Sequence, residues 1–281
     1  MAAVDLVFPV RNEGPLLAAT LRSLAATPAG AEFTVTVVDD GSTPPADCGG
    51  GFGLPLRLLR GTPVGAAAAR NLGARLGGAP VVCFCDAHLE FTPGWLGLLV
   101  EAMGAFDGVC PGIASVGRPE ACGYGFTWNA RYEVRWLPAP RGPAEVPFLP
   151  GGCLCLRRAA FAAVGGFDAG LVPWGHEDAE LSFALWAVGF RLGVEPRARV
   201  LHHFRARHPY FVRQDHVDRN LLRLGCVHFG PDRLRRLLAH LRPDARTLQG
   251  VRQAAEGRRR ALAARRRHGD DWLCARFGLP L

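Results

Sequence analysis

The sequence predicts an α/β fold built on a parallel sheet, carrying a helical C-terminal extension. Two observations predict it. Short β-branched and apolar runs alternate with helical spacings through the N-terminal half, the pattern of βαβ units. Beyond residue 206 the pattern turns helical and increasingly rich in arginine.

The elements follow in order. Residues 4–10 are a short apolar run and read as the first strand. Residues 15–26 place Leu17, Leu21 and Leu24 at helical spacing. Residues 33–38 are β-branched and stop at Asp39-Asp40-Gly41-Ser42, a turn signal. Residues 54–59 read as another strand and residues 64–76 as an alanine-rich helix. Residues 80–85 form a buried strand ending in Asp86-Ala87-His88. Residues 93–103 read as a helix that begins at Pro93. Residues 117–147 are proline-rich, carry Trp128 and Trp136 and show no period, so they read as a long loop over the site. Residues 148–156 read as a strand interrupted by Gly151 and Gly152. Glycine in a strand marks close approach of a ligand to the backbone. A helix with an acidic first turn follows Trp174-Gly175, and a short apolar run leads to His202-His203. The organisation expected is a domain over 1–206, divided into halves 1–105 and 106–206, and a helical, arginine-rich extension over 207–281.

Composition narrows the function classes. The chain has 281 residues, 49% of them hydrophobic and 21% charged, with a formal net charge of +8. That is an ordinary globular balance and argues against disorder. Every basic side chain among the 33 Lys and Arg is arginine. The nine cysteines are odd in number and scattered. Cys83, Cys85, Cys153 and Cys155 lie inside apolar runs and read as reduced core thiols, since neither a disulfide framework nor the usual paired zinc spacing is present. The N-terminus lacks a basic region and a long apolar stretch, and no run reaches the length of a membrane span. The expected location is therefore cytoplasmic. Charge alone permits nucleic-acid binding, but no recognition module accompanies it.

In an open α/β sheet, ligands bind beyond the carboxyl ends of the strands. The clusters Arg11-Asn12-Glu13, Asp39-Asp40 and Asp86-Ala87-His88 all fall there. Two residues apart on an extended chain, Asp86 and His88 face one way, about 7 Å from each other. A carboxylate and an imidazole so placed can share a cation, and mixed oxygen and nitrogen ligation suits Mn²⁺ or another transition ion better than Mg²⁺. Either His202 or His203 can complete a three-ligand set if its run reaches this edge. Glu177 and Asp178 open a helix, where the macrodipole favours acids, and one of them can serve as a base. Arg70, on the alanine-rich helix, contacts a base or phosphate if it faces the edge that holds Asp39. Trp128, Tyr132, Trp136 and Trp174 are candidates for stacking on a sugar or acceptor.

Taken together, the pattern resembles the family-2 nucleotide-sugar glycosyltransferases of GT-A fold. The residues that carry the resemblance run in order from Pro9-Val10-Arg11-Asn12-Glu13 through Val37-Val38-Asp39-Asp40-Gly41-Ser42, Ala69-Arg70-Asn71-Leu72-Gly73-Ala74 and Asp86-Ala87-His88. They continue with Pro150-Gly151-Gly152, Gly165-Gly166-Phe167-Asp168, Trp174-Gly175-His176-Glu177-Asp178 and His202-His203-Phe204-Arg205. The resemblance implies a mixed GT-A sheet flanked by helices and a UDP-sugar donor. Pro9, Val10, Glu13 and Gly152 would border the nucleotide-sugar. Asp39, with Arg70 nearby, would hydrogen-bond uracil. Asp86 and His88 would stand where the family keeps its metal motif, and Asp178 would be the catalytic base beside Glu177.

A metal motif ending in His, with a later His-x-Phe-Arg, resembles the polypeptide N-acetylgalactosaminyltransferases. That likeness implies His202 as third metal ligand. Those enzymes retain anomeric configuration, carry Glu-Asn at the acidic pair and add a lectin domain. The pair here is Glu177-Asp178, so the resemblance implies an inverting transferase using Mn²⁺ or Mg²⁺ and acting on a peptide, glycan, lipid or small-molecule acceptor. The alternatives are a retaining enzyme of the N-acetylgalactosaminyltransferase kind and a non-catalytic nucleotide-sugar-binding module. A nucleotidyltransferase fits poorly, because Arg11-Asn12-Glu13-Gly14 stands where a glycine-rich basic loop would be expected. The arginines between 252 and 267 are a solvated face, a membrane-surface contact or an acceptor site.

Overall fold

A computed structural model describes residues 3–205 and 207–281. The chain runs β1 (Val4–Val10), α1 (Pro15–Ala26), β2 (Phe33–Asp39), β3 (Leu56–Arg60), α2 (Ala66–Arg75), β4 (Val81–Cys85), β5 (Leu89–Phe91) and α3 (Trp95–Ala102). It continues through β6 (Gly108–Ser115), β7 (Arg118–Gly123), β8 (Phe126–Trp128), β9 (Val134–Trp136), β10 (Ala144–Glu145), β11 (Cys153–Arg157), α4 (Arg158–Ala163), α5 (Glu177–Val188) and β12 (Leu192–His202). Four helices close it, α6 (Gln214–His228), α7 (Pro231–Leu241), α8 (Ala245–Ala263) and α9 (Asp270–Phe277).

The main sheet is mixed. Its order is β10-β12-β6-β11-β4-β1-β2-β3. The block β4-β1-β2-β3 is parallel, while β11 runs antiparallel to both β4 and β6. Strands buried on both faces need apolar residues at successive positions, and β1 supplies them. Leu6 and Phe8 pack with α1 and α3, and Val7 packs with Phe84 and Phe167 on the other side.

Four expectations change. Pro93 does not start a helix; it lies in the turn before α3, and Gly94 takes the cap with a left-handed backbone. Residues 117–147 are not a loop, for they contain β7 to β10. Strands of two to six residues among prolines leave no readable period. Phe148 to Gly152 are outside any strand, and β11 begins only at Cys153, because Pro150 and the glycine pair make a turn. Asp86 and His88 have already left the sheet. The chain bends after Cys85 and rejoins as β5.

The C-terminal helices pack on α5. Glu180, wholly buried, accepts hydrogen bonds from His228 on α6 and Arg258 on α8, each at 2.9 Å. Arg258, Arg259 and Arg265 donate to main-chain oxygens of Val164, Cys226 and Ala163. Part of the arginine run is thus a brace between layers. Among the described residues, no helix is long and apolar enough to cross a membrane.

Candidate active site

The bend after β4 is fixed by strand pairing. β5 runs antiparallel to the end of β12, with Leu89 opposite His202. The His203 amide donates to the His88 carbonyl at 3.0 Å. This brings two segments more than a hundred residues apart to one point. His202 Nε2 lies 3.4 Å from Asp86 Oδ2, and His88 Nε2 lies 3.8 Å from the same oxygen. One donor atom from each of the three side chains falls within 4.8 Å of the others. His203, one residue on, turns away to Glu90 at 3.1 Å. Alternation along a strand separates the two histidines.

The donor set fits a metal ion. One carboxylate and two imidazoles converge, a set suited to a first-row transition ion. The outer nitrogen of His88 supplies the second observation. Its Nδ1 lies 3.2 Å from Glu13 Oε2 and 3.1 Å from Arg205 Nη2, which leaves Nε2 facing Asp86. The tautomer that donates from Nδ1 to Glu13 frees Nε2 for a metal, the arrangement usual for metal-binding histidines. Glu13 itself is gripped by Arg205 through two bonds of 2.9 and 3.0 Å. Burial would raise the Glu13 pKa, but the hydrogen bonds and charges of His88 and Arg205 lower it.

Arg70 is the hub of the site. It is 3% exposed and spans two acids, donating to Asp86 Oδ1 and Glu177 Oε1, each at 3.0 Å. The same guanidinium donates to the Gly151 carbonyl at 3.1 Å. Burial would raise the Asp86 pKa, yet its hydrogen bond with His202 and the charges of His88 and Arg70 hold it below the usual carboxylate range. Arg70 was expected to contact a base or phosphate if it faced the edge that holds Asp39; the partners its fork takes are Asp86, Glu177 and the Gly151 carbonyl.

The acidic pair divides its work. Glu177 accepts from Arg70 with one oxygen and from the Gly175 amide, at 2.8 Å, with the other. Among the described residues, Asp178 pairs with no cation. Its oxygens accept the amides of Gly151 and Ala179 at 3.0 and 2.8 Å. Burial, then the neighbouring Glu177 charge, push its pKa up to about 6 against partial relief from those amides and Arg70.

A cavity of about 460 Å³ joins these groups. Pro9, Val10, Glu13, Arg70, Asp86, His88, Gly152, Glu177, Asp178 and His202 all border it. Asp39 is the expected residue that does not. It is 3% exposed, and its carboxylate is taken up by the amides of Ser42 and Ala46, both at 2.9 Å. Its neighbour Asp40 borders the cavity instead. Trp136 and Trp174 stand at the rim and are part-exposed, Trp128 lines the cavity from the core where it packs against Phe148 and Phe183, and Tyr132 is buried away from it. The sequence points to no role for Arg205, and to none for Gly151 beyond a close backbone approach. Both lie in motifs that were quoted, but their partners are distant in the chain.

Comparison with known proteins agrees with this geometry. The family model described as glycosyl transferase family 2 matches residues 5–165, and one described as the N-terminal domain of galactosyltransferase matches residues 136–209. Polypeptide N-acetylgalactosaminyltransferase 16 of Mus musculus is 31% identical over 232 residues, covering 75% of this chain and 42% of the relative. Polypeptide N-acetylgalactosaminyltransferase 8 of Drosophila melanogaster is 32% identical over 248 residues, covering 78% and 41%. The chain therefore spans about two fifths of the length of these relatives. Among solved structures, GalNAc-T7 with UDP, GalNAc and Mn²⁺ aligns over 99% of this chain and 57% of its own, with a TM-score of 0.73 and 18% identity. Residues 1–349 of S. aureus TarS with UDP-GlcNAc align over 91% and 72%, with a TM-score of 0.60 and 17% identity.

Proposed function

This chain belongs to glycosyl transferase family 2, is related to the polypeptide N-acetylgalactosaminyltransferases and has a GT-A-like fold, and on that footing we propose that it transfers a sugar from a UDP-sugar to an acceptor with inversion. The observation that carries the proposal is Asp178. It is a cavity carboxylate that pairs with no cation among the described residues and has a raised proton affinity, as a general base requires.

The residues have distinct tasks. Pro9, Val10 and Asp40 line the nucleotide end of the cavity. Asp86, His88 and His202 would hold a divalent cation, Mn²⁺ by donor type. When bound, that ion supplies Lewis-acid stabilisation of the departing diphosphate. Glu177 and Arg70 fix the position of Asp86 and of the Gly151 turn. Asp178 takes the proton from the attacking acceptor hydroxyl as the anomeric carbon inverts. Trp136 and Trp174, at the mouth, are placed to cover an acceptor, whether peptide, glycan or lipid.

A second reading is favoured by one observation, the 31% identity to a polypeptide N-acetylgalactosaminyltransferase. On that reading the sugar is GalNAc, configuration is retained and Asp178 is not a base. One experiment separates them. The chain is supplied with a panel of UDP-sugars, Mn²⁺ and simple acceptors, and the anomer of the product is read by NMR. Inversion supports the base assignment, and retention sinks it. Absence of both transfer and donor hydrolysis across the panel would favour a binding module.

A further inference from the structure

Four cysteines meet on one face of the sheet. β4 carries Cys83 and Cys85, and β11 carries Cys153 and Cys155. Residues two apart on a strand share a face. The antiparallel register then sets Cys85 opposite Cys153 and Cys83 opposite Cys155. The Asp86 amide donates to the Gly152 carbonyl at 2.9 Å, so that pair is the hydrogen-bonded one. Both cysteine pairs therefore fall at the closer, non-hydrogen-bonded positions.

The sulfurs are near one another and shut away from water. Cys83 Sγ lies 3.8 Å from Cys85 Sγ, and Cys85 Sγ lies 3.9 Å from Cys153 Sγ. All three sulfurs fall within 4.8 Å of one another. The four residues are 0% exposed and unbridged. Leu6 and Val109 flank them in the register, so the surroundings are apolar.

These distances match a metal's demand. A tetrahedral zinc with bonds of ~2.3 Å holds its sulfurs ~3.8 Å apart. We propose that Cys83, Cys85 and Cys153 bind one soft divalent cation, zinc by preference, with Cys155, opposite Cys83 in the register, as the fourth ligand. Thiolates select soft ions. Four thiolates leave two net negative charges around a divalent ion and three around a monovalent one, and burial favours the smaller charge. Each ligand exchanges an S–H bond for an S–metal bond, its proton passing to solvent, and no electrons are transferred. The site staples β4 to β11, the strand pair at which the sheet changes direction. Asp86 follows Cys85 directly and Gly152 precedes Cys153, so the staple supports the catalytic edge without belonging to it.

Burial means that the ion is captured as the strands close and exchanges slowly afterwards. The test uses the full chain, purified under reducing conditions from zinc-supplemented medium, washed with chelator and counted by elemental mass spectrometry. One chelator-resistant zinc per chain is expected, kept in His88→Ala and lost in the Cys85→Ser, Cys153→Ser double variant. Because that variant can fail to fold, the unaltered protein is also refolded with Cd²⁺ alone. Sulfur-to-cadmium charge-transfer absorption should appear with a one-to-one endpoint. Zinc at background level with no such absorption would overturn the proposal, as would zinc content equal in a folded double variant, or a native disulfide among the four.

Discussion

Arg70 joins Asp86 to Glu177 with two bonds of 3.0 Å, so one buried cation links the candidate metal group to the acidic pair. Removing it leaves two carboxylates facing each other without a counter-charge. Breaking a buried ion network from one side costs about 3–5 kcal/mol. Arg70→Met should therefore lose that order of stability in urea unfolding, together with most turnover. Arg70→Lys should recover part of the stability and little activity, because a single ammonium cannot span both acids and Gly151.

On the proposed base role, Asp178 sets the acid limb of activity. A base with a pKa of about 6 works only when deprotonated. The kcat/KM profile should fall tenfold per pH unit below about 6 and level off above it. Asp178→Asn should bind donor normally, by calorimetry, and transfer nothing. Near-normal turnover in that variant would remove the base role.

The same residue carries a stability signature. Its folded pKa is raised from 3.8 to about 6, so the folded state holds the proton more tightly than the unfolded chain. The stabilisation is complete below about pH 4 and disappears as pH rises through about 6. At neutral pH the buried charge is a liability of up to about 3 kcal/mol. Asp178→Asn should accordingly raise Tm at pH 7.5 and not at pH 4, checked by calorimetric scans at both values.

Glu13 positions His88 from outside the metal group. Loss of such a partner costs metal affinity about 10–100-fold. Glu13→Gln should weaken Mn²⁺ binding by that factor while the protein stays folded. The readout is Mn²⁺ titration without substrate, since an effect on turnover alone would not distinguish it from nucleotide contact.

Gly152 lies against the histidine ring. A Cβ there would sit 3.3 Å from His202 Cδ2 and 3.7 Å from Asp86 Oδ2. Gly152→Ala should shift the ring by a few tenths of an ångström and reduce Mn²⁺ affinity, whereas Gly151→Ala, with its nearest contact at 3.4 Å, should leave metal binding unchanged. Equal loss in both variants would show that the crowding at His202 is not what matters.

The sequence by itself determined a good deal. Alternating runs specified strands and helices, and polar groups after apolar runs marked the catalytic edge, because side-chain periodicity is a local property. Asp86, His88 and Asp178 could be named as candidates on that basis, with family resemblance selecting His202 over His203. What lay beyond it depends on register and on distance across the fold. The short strands within residues 117–147 exist through their partners, not their own pattern. Asp39 turned to its own loop, and Arg70 turned to Asp86 and Glu177, 16 and 107 residues away. Two Cys-x-Cys segments looked like ordinary core until the β4–β11 ladder set them face to face. A chain encodes the spacing of i and i+2 directly. Which side chain meets which across a sheet is decided only when backbone hydrogen bonds choose one register, and here that register makes the site.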